Sequence, residues 1–279
     1  MGDRRDAETV DILKGAETID LQEEGSHGVL LLHGFGDTPQ TLSLLARRLR
    51  KAGYSVFAPL LPGHGRTMDV FKRSRAEEWI DAAKLALLSM RARADGVSIV
   101  GLSMGAALAA LLAAEDHATS ALVLIAPYLG MPRRLRFAAA THWLWGAWAG
   151  EINARNPRSI HDAIERERNL AYGSVTGRTL FELSKVVRRA RKALPRVNAP
   201  TLIIQSREDP RVSPRIAEFA LEQLGASEKQ LVWTEGAGHI ITVDYGRERV
   251  FSEVERWLRL HIGHGRQPLL TSKAAVERH

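Results

Sequence analysis

Residues 98–115 read SIVGLSMGAALAALLAAE and decide the fold. The apolar run that ends at Gly101 predicts a buried strand, and the small residues from Ser103 to Glu115 predict a helix. Between them, Gly101–Gly105 matches the pattern Gly-x-Ser-x-Gly, whose glycines let a strand and a helix approach closely at a strained turn. We interpret Ser103 as a candidate nucleophile. The alternative is a glycine-bounded turn with an inert serine.

Strands and helices alternate on both sides of this turn. Strands are predicted at residues 28–32, 54–58, 97–101, 121–126, 201–205 and 230–234, and helices at residues 39–51, 76–93, 103–115, 214–224 and 247–262. Alternation of this kind favours a mostly parallel central sheet with helices on both faces, whose ligands bind at the carboxyl ends of the strands. The predicted fold class is therefore α/β.

The alternation is interrupted after Pro127. The segment before the next predicted strand is far longer than an ordinary connection between a strand and a helix, which indicates an inserted subdomain. We expect a cap at residues 128–194 and a core formed by residues 1–127 and 195–279. The residues from Gly263 onward look like a tail.

The composition excludes several other classes of protein. Of 279 residues, 45% are apolar and 25% are charged, as in compact globular proteins. The chain has no cysteine, so disulfides, a thiolate nucleophile and Cys-ligated metals are excluded. The net charge of +7 is dispersed among acidic residues, without the basic stripe of a nucleic-acid-binding protein. No apolar run could span a membrane and the N-terminus does not resemble a signal peptide, so we expect a soluble, cytoplasmic protein.

Two further residues complete a candidate catalytic triad with Ser103. A serine hydroxyl needs a histidine to accept its proton, and that histidine needs a carboxylate to orient it. Where a Gly-x-Ser-x-Gly turn carries the nucleophile of such a sheet, the carboxylate follows a late strand and the histidine follows the last one. SREDP offers Glu208 and Asp209, and GAGH offers His239. We favour Asp209, which opens the loop before the next helix, and expect Glu208 to face solvent or to neighbour Asp209.

The sequence HGFG at residues 33–36 follows the first predicted buried strand. Its position at the same edge of the sheet predicts that the backbone N–H of Phe35 helps to stabilise a tetrahedral oxyanion. The second donor would be the backbone N–H of Met104, which follows the serine. His33 is interpreted as a structural residue rather than a base, because a histidine in such a turn usually serves the backbone.

The motifs taken together carry a family resemblance. They are LLLHGFGDTP, PGHG at Pro62–Gly65, GLSMG, REDPRVSP and GHIITVD. They resemble those of small bacterial carboxylesterases and monoacylglycerol lipases of the α/β-hydrolase superfamily, over most of the chain. The resemblance implies an α/β-hydrolase fold with a cap, the triad Ser103, Asp209 and His239, and an acyl-enzyme mechanism without a cofactor or metal. Ala106 departs from the family pattern, which commonly has a further glycine there.

The predicted cap contains a cluster of aromatic residues in a stretch with few charges. It includes Trp143, Trp145 and Trp148. These side chains either line a pocket for an apolar acyl chain and bind substrate, or form the small core of the cap itself. The sequence leaves both interpretations open.

The predicted function is hydrolysis of small carboxylic esters. Amide or thioester substrates use the same machinery, and a non-catalytic ligand-binding protein could share the scaffold. A dehalogenase or an epoxide hydrolase would need an aspartate in place of Ser103. The sequence does not indicate the natural substrate or the oligomeric state.

Overall fold

A seven-stranded sheet forms the centre of the computed structural model, which describes residues 10–23 and 25–262. The strands along the chain are β1 (Ile19–Leu21), β2 (Gly28–Leu32), β3 (Ser55–Ala58), β4 (Val97–Leu102), β5 (Thr119–Ile125), β6 (Ile152–Asn153), β7 (Ser174–Val175), β8 (Thr201–Ser206) and β9 (Lys229–Thr234). The main sheet has the order β1-β3-β2-β4-β5-β8-β9, and β6 pairs with β7. Every neighbouring pair in the main sheet is parallel except β1 and β3. The predicted α/β class with a mostly parallel sheet is confirmed.

The helices fill the connections between these strands. They are α1 (Ser43–Lys51), α2 (Met68–Phe71), α3 (Ala76–Arg91), α4 (Met104–Glu115), α5 (Arg133–Ala140), α6 (His142–Ala149), α7 (Ala163–Arg168), α8 (Gly177–Ala193), α9 (Pro214–Gln223) and α10 (Arg247–His261). Within the described residues, none of these helices combines the length and the apolarity needed to cross a membrane. The predicted tail from Gly263 lies outside the described residues.

The sheet separates two apolar layers. Side chains alternate between the two faces of a strand, so Leu30 and Leu32 of β2 face one layer while Val29 and Leu31 face the other. Helices α3, α4, α8 and α9 contribute to the first layer, and α1 and α10 contribute to the second. Because both faces are covered, the central strands are apolar along their whole length rather than in alternation.

Helix α4 is the most deeply buried helix of the first layer. Its residues from Met104 to Ala114 are all buried, and only Glu115 at its end is exposed. A helix that is apolar on every side is stable only when it is enclosed, and α4 is covered by the sheet on one side and by α8 on the other. Ala106, which departs from the family pattern, is fully buried.

The last helix of the insertion belongs to the same apolar layer. Leu183, Val186 and Val187 of α8 are buried in one cluster with α3 and α4. The buried carboxylate of Glu182 accepts a hydrogen bond of 3.0 Å from the backbone N–H of Ala76 at the start of α3. This helix therefore anchors the segment between β5 and β8 to the core, and α5 and α6 pack against it.

Candidate active site

The turn at Ser103 joins the end of β4 to the start of α4. Ser103 has φ 57° and ψ −114°, a conformation that L-residues rarely adopt. A Cβ atom on Gly101 would lie 2.2 Å from the carbonyl oxygen of Gly105. A Cβ atom on Gly105 would lie 1.9 Å from the carbonyl oxygen of Leu32 on β2. Both positions therefore require glycine. The close approach of these backbone segments holds Ser103 at the carboxyl end of β4.

Ser103, His239 and Asp209 form one chain of hydrogen bonds. Ser103 Oγ lies 2.8 Å from His239 Nε2, and His239 Nδ1 lies 2.7 Å from Asp209 Oδ2. All three residues are buried, although they come from loops that follow three different strands. The structure thus brings together the three side chains that the sequence singled out, in the order that proton transfer from serine to histidine requires.

The carboxylate of Asp209 is held by its own loop. Its Oδ1 accepts hydrogen bonds from the backbone N–H groups of Arg211 and Val212, at 2.7 and 2.9 Å. Its Oδ2 also accepts a hydrogen bond of 3.0 Å from the amide of Gln205, at the end of β8. Burial alone would raise the pKa of this carboxyl, but the charge and hydrogen bond of His239 and the two N–H groups outweigh it and lower the pKa. Asp209 is therefore charged beside the histidine.

Glu208 has a different environment. Its side chain is about half exposed, and Oε1 accepts a hydrogen bond of 2.7 Å from the backbone N–H of Gly236. The nearest ionisable partner is His161, whose Nδ1 lies 4.0 Å from Oε2. Glu208 thus faces solvent and ties two loops together, while Asp209 occupies the position next to His239.

The loop after β2 passes beside Ser103. A Cβ atom on Gly34 would lie only 3.5 Å from the Cβ of Ser103. Phe35 follows, and its ring is held by Phe71 and Trp79, with ring centroids 5.1 and 5.8 Å away. The N–H of Met104 belongs to the first turn of α4, where backbone donors have no acceptor within the helix. Both predicted oxyanion donors therefore lie on segments that border Ser103, and their role stays a prediction.

His33 is a buried, neutral histidine, and both of its ring nitrogens form hydrogen bonds with backbone groups. Its Nδ1 donates to the carbonyl oxygen of Gly34 at 2.9 Å, and its Nε2 accepts from the backbone N–H of Leu61 at 3.1 Å. Burial lowers its pKa to about 4, although the bond to Gly34 opposes this shift. Both ring nitrogens are occupied, so His33 joins two loops and is not available as a base.

Asp244 is a buried carboxylate that sequence reasoning passed over, although it ends the motif GHIITVD. Its Oδ2 accepts hydrogen bonds from the backbone N–H groups of Gly238 and His161, at 2.7 and 2.8 Å. Its Oδ1 accepts from the N–H groups of Asp162 and Tyr245, both at 2.9 Å. Four backbone donors thus satisfy this carboxylate without a cation. It joins the loop that carries His239 to residues 159–162, which lie in the predicted cap.

Ser159 makes a second connection between the cap segment and the loops of the site. Its carbonyl oxygen accepts hydrogen bonds from the backbone N–H groups of His239 and Ile240, at 2.9 and 3.0 Å. Its hydroxyl oxygen accepts a hydrogen bond of 2.8 Å from Nε of Arg211, next to Asp209. Ser159 therefore contacts both loops that carry the partners of Ser103. No local sequence signal marked Ser159, because these contacts cross long distances along the chain.

A second buried carboxyl group lies near the site. Asp37 accepts hydrogen bonds of 2.8 Å from the backbone N–H of Thr38 and from the hydroxyl of Thr41. Burial raises its pKa to about 6, although these hydrogen bonds and the charge of His239 oppose the shift. Because the folded state favours the protonated form, this group's contribution to stability falls as the pH rises from about 4 towards about 6.

The three tryptophans of the predicted cap lie in two environments. Trp145 is half-buried: its Nε1 donates a hydrogen bond of 3.0 Å to the carbonyl oxygen of Ala138, and its ring contacts Gly177 at the start of α8. The side chains of Trp143 and Trp148 are 72% and 91% exposed. The sequence treated these residues as one cluster, whereas in the structure Trp145 makes internal contacts and Trp143 and Trp148 are exposed. Their predicted role in substrate binding stays a prediction.

Comparison with known proteins assigns the family. The family model described as serine aminopeptidase, S33, matches residues 24–245. A thermostable monoacylglycerol lipase from Bacillus sp. is 29% identical to the chain over 259 residues, which cover 92% of this chain and 100% of that protein. A carboxylesterase from Bacillus subtilis is 23% identical, over 84% of this chain and 93% of that protein.

Solved structures are similar over the same length. A structure described with two metagenome-derived lipolytic enzymes has a TM-score of 0.82 and 31% identity, and the match covers 90% of this chain and 100% of that one. A monoacylglycerol lipase from Paleococcus ferrophilus has a TM-score of 0.73 at 20% identity, over 88% and 98% of the two chains, which bears on the fold alone. With the family model matching residues 24–245, the chain belongs to the serine aminopeptidase S33 family of the α/β-hydrolase superfamily and is a hydrolase.

Proposed function

We propose that the chain is a serine hydrolase that cleaves carboxylic esters of the carboxylesterase or monoacylglycerol lipase type. The observation that carries this proposal is the continuous chain of hydrogen bonds from Ser103 Oγ through His239 to Asp209, with separations of 2.8 and 2.7 Å. Relatives named monoacylglycerol lipase and carboxylesterase, which align over most of the chain, support an ester as the substrate.

In the proposed mechanism, His239 Nε2 accepts the proton of Ser103 as Oγ attacks the carbonyl carbon of the ester. Asp209 holds the imidazole in the required tautomer and stabilises the imidazolium. The backbone N–H groups of Phe35 and Met104 donate to the oxyanion, with a contribution of about 3 kcal/mol from each donor. His239 then protonates the leaving alcohol, and the acyl-enzyme forms. In the second half, His239 activates water and the acid is released.

The core of residues 1–127 and 195–279 carries these groups, and the insertion of residues 128–194 serves as the cap. The contacts of Trp145 with Ala138 and Gly177 support a role in the internal packing of the cap rather than in lining the acyl pocket. The apolar surroundings of the site, which include the aromatic side chains beside Phe35, suit an uncharged acyl chain.

Amide and thioester hydrolysis use the same groups, and the matching family model is described as a serine aminopeptidase. The test compares initial rates on p-nitrophenyl esters, monoacylglycerols, a thioester and an aminoacyl anilide. Faster turnover of the anilide than of any ester would contradict the proposal. Ligand binding without turnover of any of them would favour a non-catalytic protein on the same scaffold.

Replacement of the candidate nucleophile is the first prediction. Ser103→Ala removes the attacking oxygen and leaves the packing of the turn, so it should abolish ester turnover with an unchanged melting temperature. Initial rates and a circular dichroism melt of the pure variant measure both properties. Activity above a small fraction of the wild-type rate would mean that another group attacks the ester.

The two neighbouring acids provide a matched pair of substitutions. Asp209→Asn should lower kcat by up to about 10⁴-fold, because an amide cannot hold the imidazole in the required tautomer. Glu208→Gln should change kcat little, since its side chain faces solvent and its contacts are with Gly236 and His161. Both variants are assayed on one ester under the same conditions. A larger loss in Glu208→Gln would show that the orienting carboxylate was misassigned.

Asp244→Asn tests the link between the histidine loop and the cap. An amide can accept hydrogen bonds at only one of its two polar atoms, so two of the four backbone donors would lose their acceptor, at a cost of about 1–3 kcal/mol each. We expect a lower melting temperature and a lower kcat at temperatures where the variant is folded.

The matched control for this variant is Asp162→Asn, in the same cap segment. The Asp162 carboxylate accepts hydrogen bonds from the first turn of α7 and pairs with Arg247, but does not contact the histidine loop. The Asp162→Asn variant should have a lower melting temperature than the wild type and the same kcat. Equal kcat values for Asp244→Asn and the wild type would restrict Asp244 to a structural role.

The acyl chain is the subject of the next prediction. Rates should rise from acetyl to medium-length chains, because each methylene buried in an apolar pocket contributes about 0.8 kcal/mol, or roughly tenfold in kcat/KM for two methylenes. Trp145→Ala should lower the melting temperature and leave this preference unchanged. A series of p-nitrophenyl esters measures the profile. A profile that declines steadily from acetyl would disprove the apolar pocket, and a changed preference in Trp145→Ala would assign Trp145 to it.

A further inference from the structure

Helices α5 and α6 of the cap expose large apolar side chains to solvent. Phe137, Trp143, Leu144 and Trp148 are 71, 72, 57 and 91% exposed. Tryptophan and phenylalanine are usually largely buried, and a soluble protein rarely exposes several of them together without a binding role. This group, together with Arg133, Arg134 and Arg136, is called the outer cap face below.

Exposed residues recur at helical spacing in both helices. Residues 133, 137 and 140 of α5, and residues 144 and 148 of α6, are three or four positions apart, the spacing that places side chains on one side of a helix. All five are exposed, and Thr141 alone separates the two helices. By contrast, Ala139 is buried and Trp145 makes internal contacts. The segment is therefore amphipathic in an unusual sense, since large apolar side chains lie on the solvent side.

The charge around this face is of one sign. Residues 131–150 contain three arginines and no acidic residue. Arg133, Arg134 and Arg136 are exposed, and none of them pairs with a carboxylate in the part of the chain that the structure describes. The whole insertion, residues 128–194, has 13 Arg and Lys against 5 Asp and Glu, a net charge of +8, so that the rest of the chain has −1 of the total +7.

We propose that the outer cap face docks on a lipid surface that contains anionic headgroups. Exposed tryptophan and phenylalanine beside arginine is the composition of helices that lie in the plane of a membrane interface, where indole rings occupy the headgroup level. The three arginines contact the phosphate groups, whose charge is complementary to theirs. The inference rests on the proposed function in one respect: a lipid ester substrate is present at such a surface.

A second copy of the chain fits this face less well. In a symmetric dimer the same surface faces itself, so the arginines of both copies would be brought close together. Like charges across an interface are unfavourable, and residues 131–150 contain no acidic residue to compensate them. Charge complementarity therefore favours an anionic lipid surface over self-association.

The test is sedimentation with phosphatidylcholine vesicles that contain or lack phosphatidylglycerol. The wild type should bind the anionic vesicles more tightly, and added salt should weaken this binding. The triple variant Arg133→Gln, Arg134→Gln, Arg136→Gln should lose roughly a hundredfold in affinity for the anionic vesicles, from about fivefold for each arginine. Trp148→Ala should weaken binding to both kinds of vesicle by about tenfold.

A matched pair of leucines controls for general loss of apolar surface. Leu144 on the outer cap face and Leu85 on α3 are 57 and 67% exposed. Leu144→Ala should weaken vesicle binding, whereas Leu85→Ala should not. Equal effects of the two substitutions, or equal binding of the wild type to both kinds of vesicle, would overturn the proposal.

Two further measurements separate this proposal from its alternatives. All variants should hydrolyse a dissolved short-chain p-nitrophenyl ester at the wild-type rate, since none of these residues contacts Ser103, His239 or Asp209. Hydrolysis without vesicle binding would refute docking alone, and vesicle binding without hydrolysis would refute the proposed function alone. A concentration-dependent dimer in analytical ultracentrifugation that Trp148→Ala abolishes, without vesicle binding, would identify a second copy as the occupant.

Discussion

The close approach of three backbone segments at Ser103 is the constraint on which the site depends. The turn lies between β4 and α4, and α4 passes so near to β2 that a Cβ atom on Gly105 would overlap the carbonyl oxygen of Leu32. The strained φ of 57° at Ser103 persists because the surrounding strands and the enclosed helix leave the backbone no alternative. Ala126, at the end of β5, also has a positive φ, of 44°. Backbone strain is thus concentrated at the carboxyl ends of β4 and β5, where the site lies.

The other two members of the hydrogen-bonded chain depend on a network that extends to residues 159–162. Asp209 is fixed by its own loop and by Gln205, whereas the loop of His239 is fixed by Asp244 and by the carbonyl oxygen of Ser159. Arg211 connects Ser159 back to the loop of Asp209. Because backbone hydrogen bonds carry most of these contacts, the position of the histidine depends on the fold of residues 159–162 and not only on the core.

The insertion combines two opposite surfaces. Helix α8 packs against α3 and α4 and contributes to the apolar layer of the core, so this part of the insertion cannot move without exposing that layer. Helices α5 and α6 expose Phe137, Trp143, Leu144 and Trp148, whereas Trp145 makes internal contacts. Helix α8 is buried because it packs against α3 and α4. The composition of the second part, aromatic and positively charged, is typical of a binding surface.

The sequence by itself determined the fold class, the order of most strands and helices, and the loops on which Ser103, Asp209 and His239 lie. These features have local signals: apolar runs, helical periodicity, and glycines that a close backbone approach requires. The tertiary structure alone decided the antiparallel pairing of β1, the junction of Asp244 with the cap, and the separation of Trp145 from Trp143 and Trp148. Each of these depends on contacts between residues far apart in the chain, or on which side of a helix finds a partner. A local pattern does not contain that information.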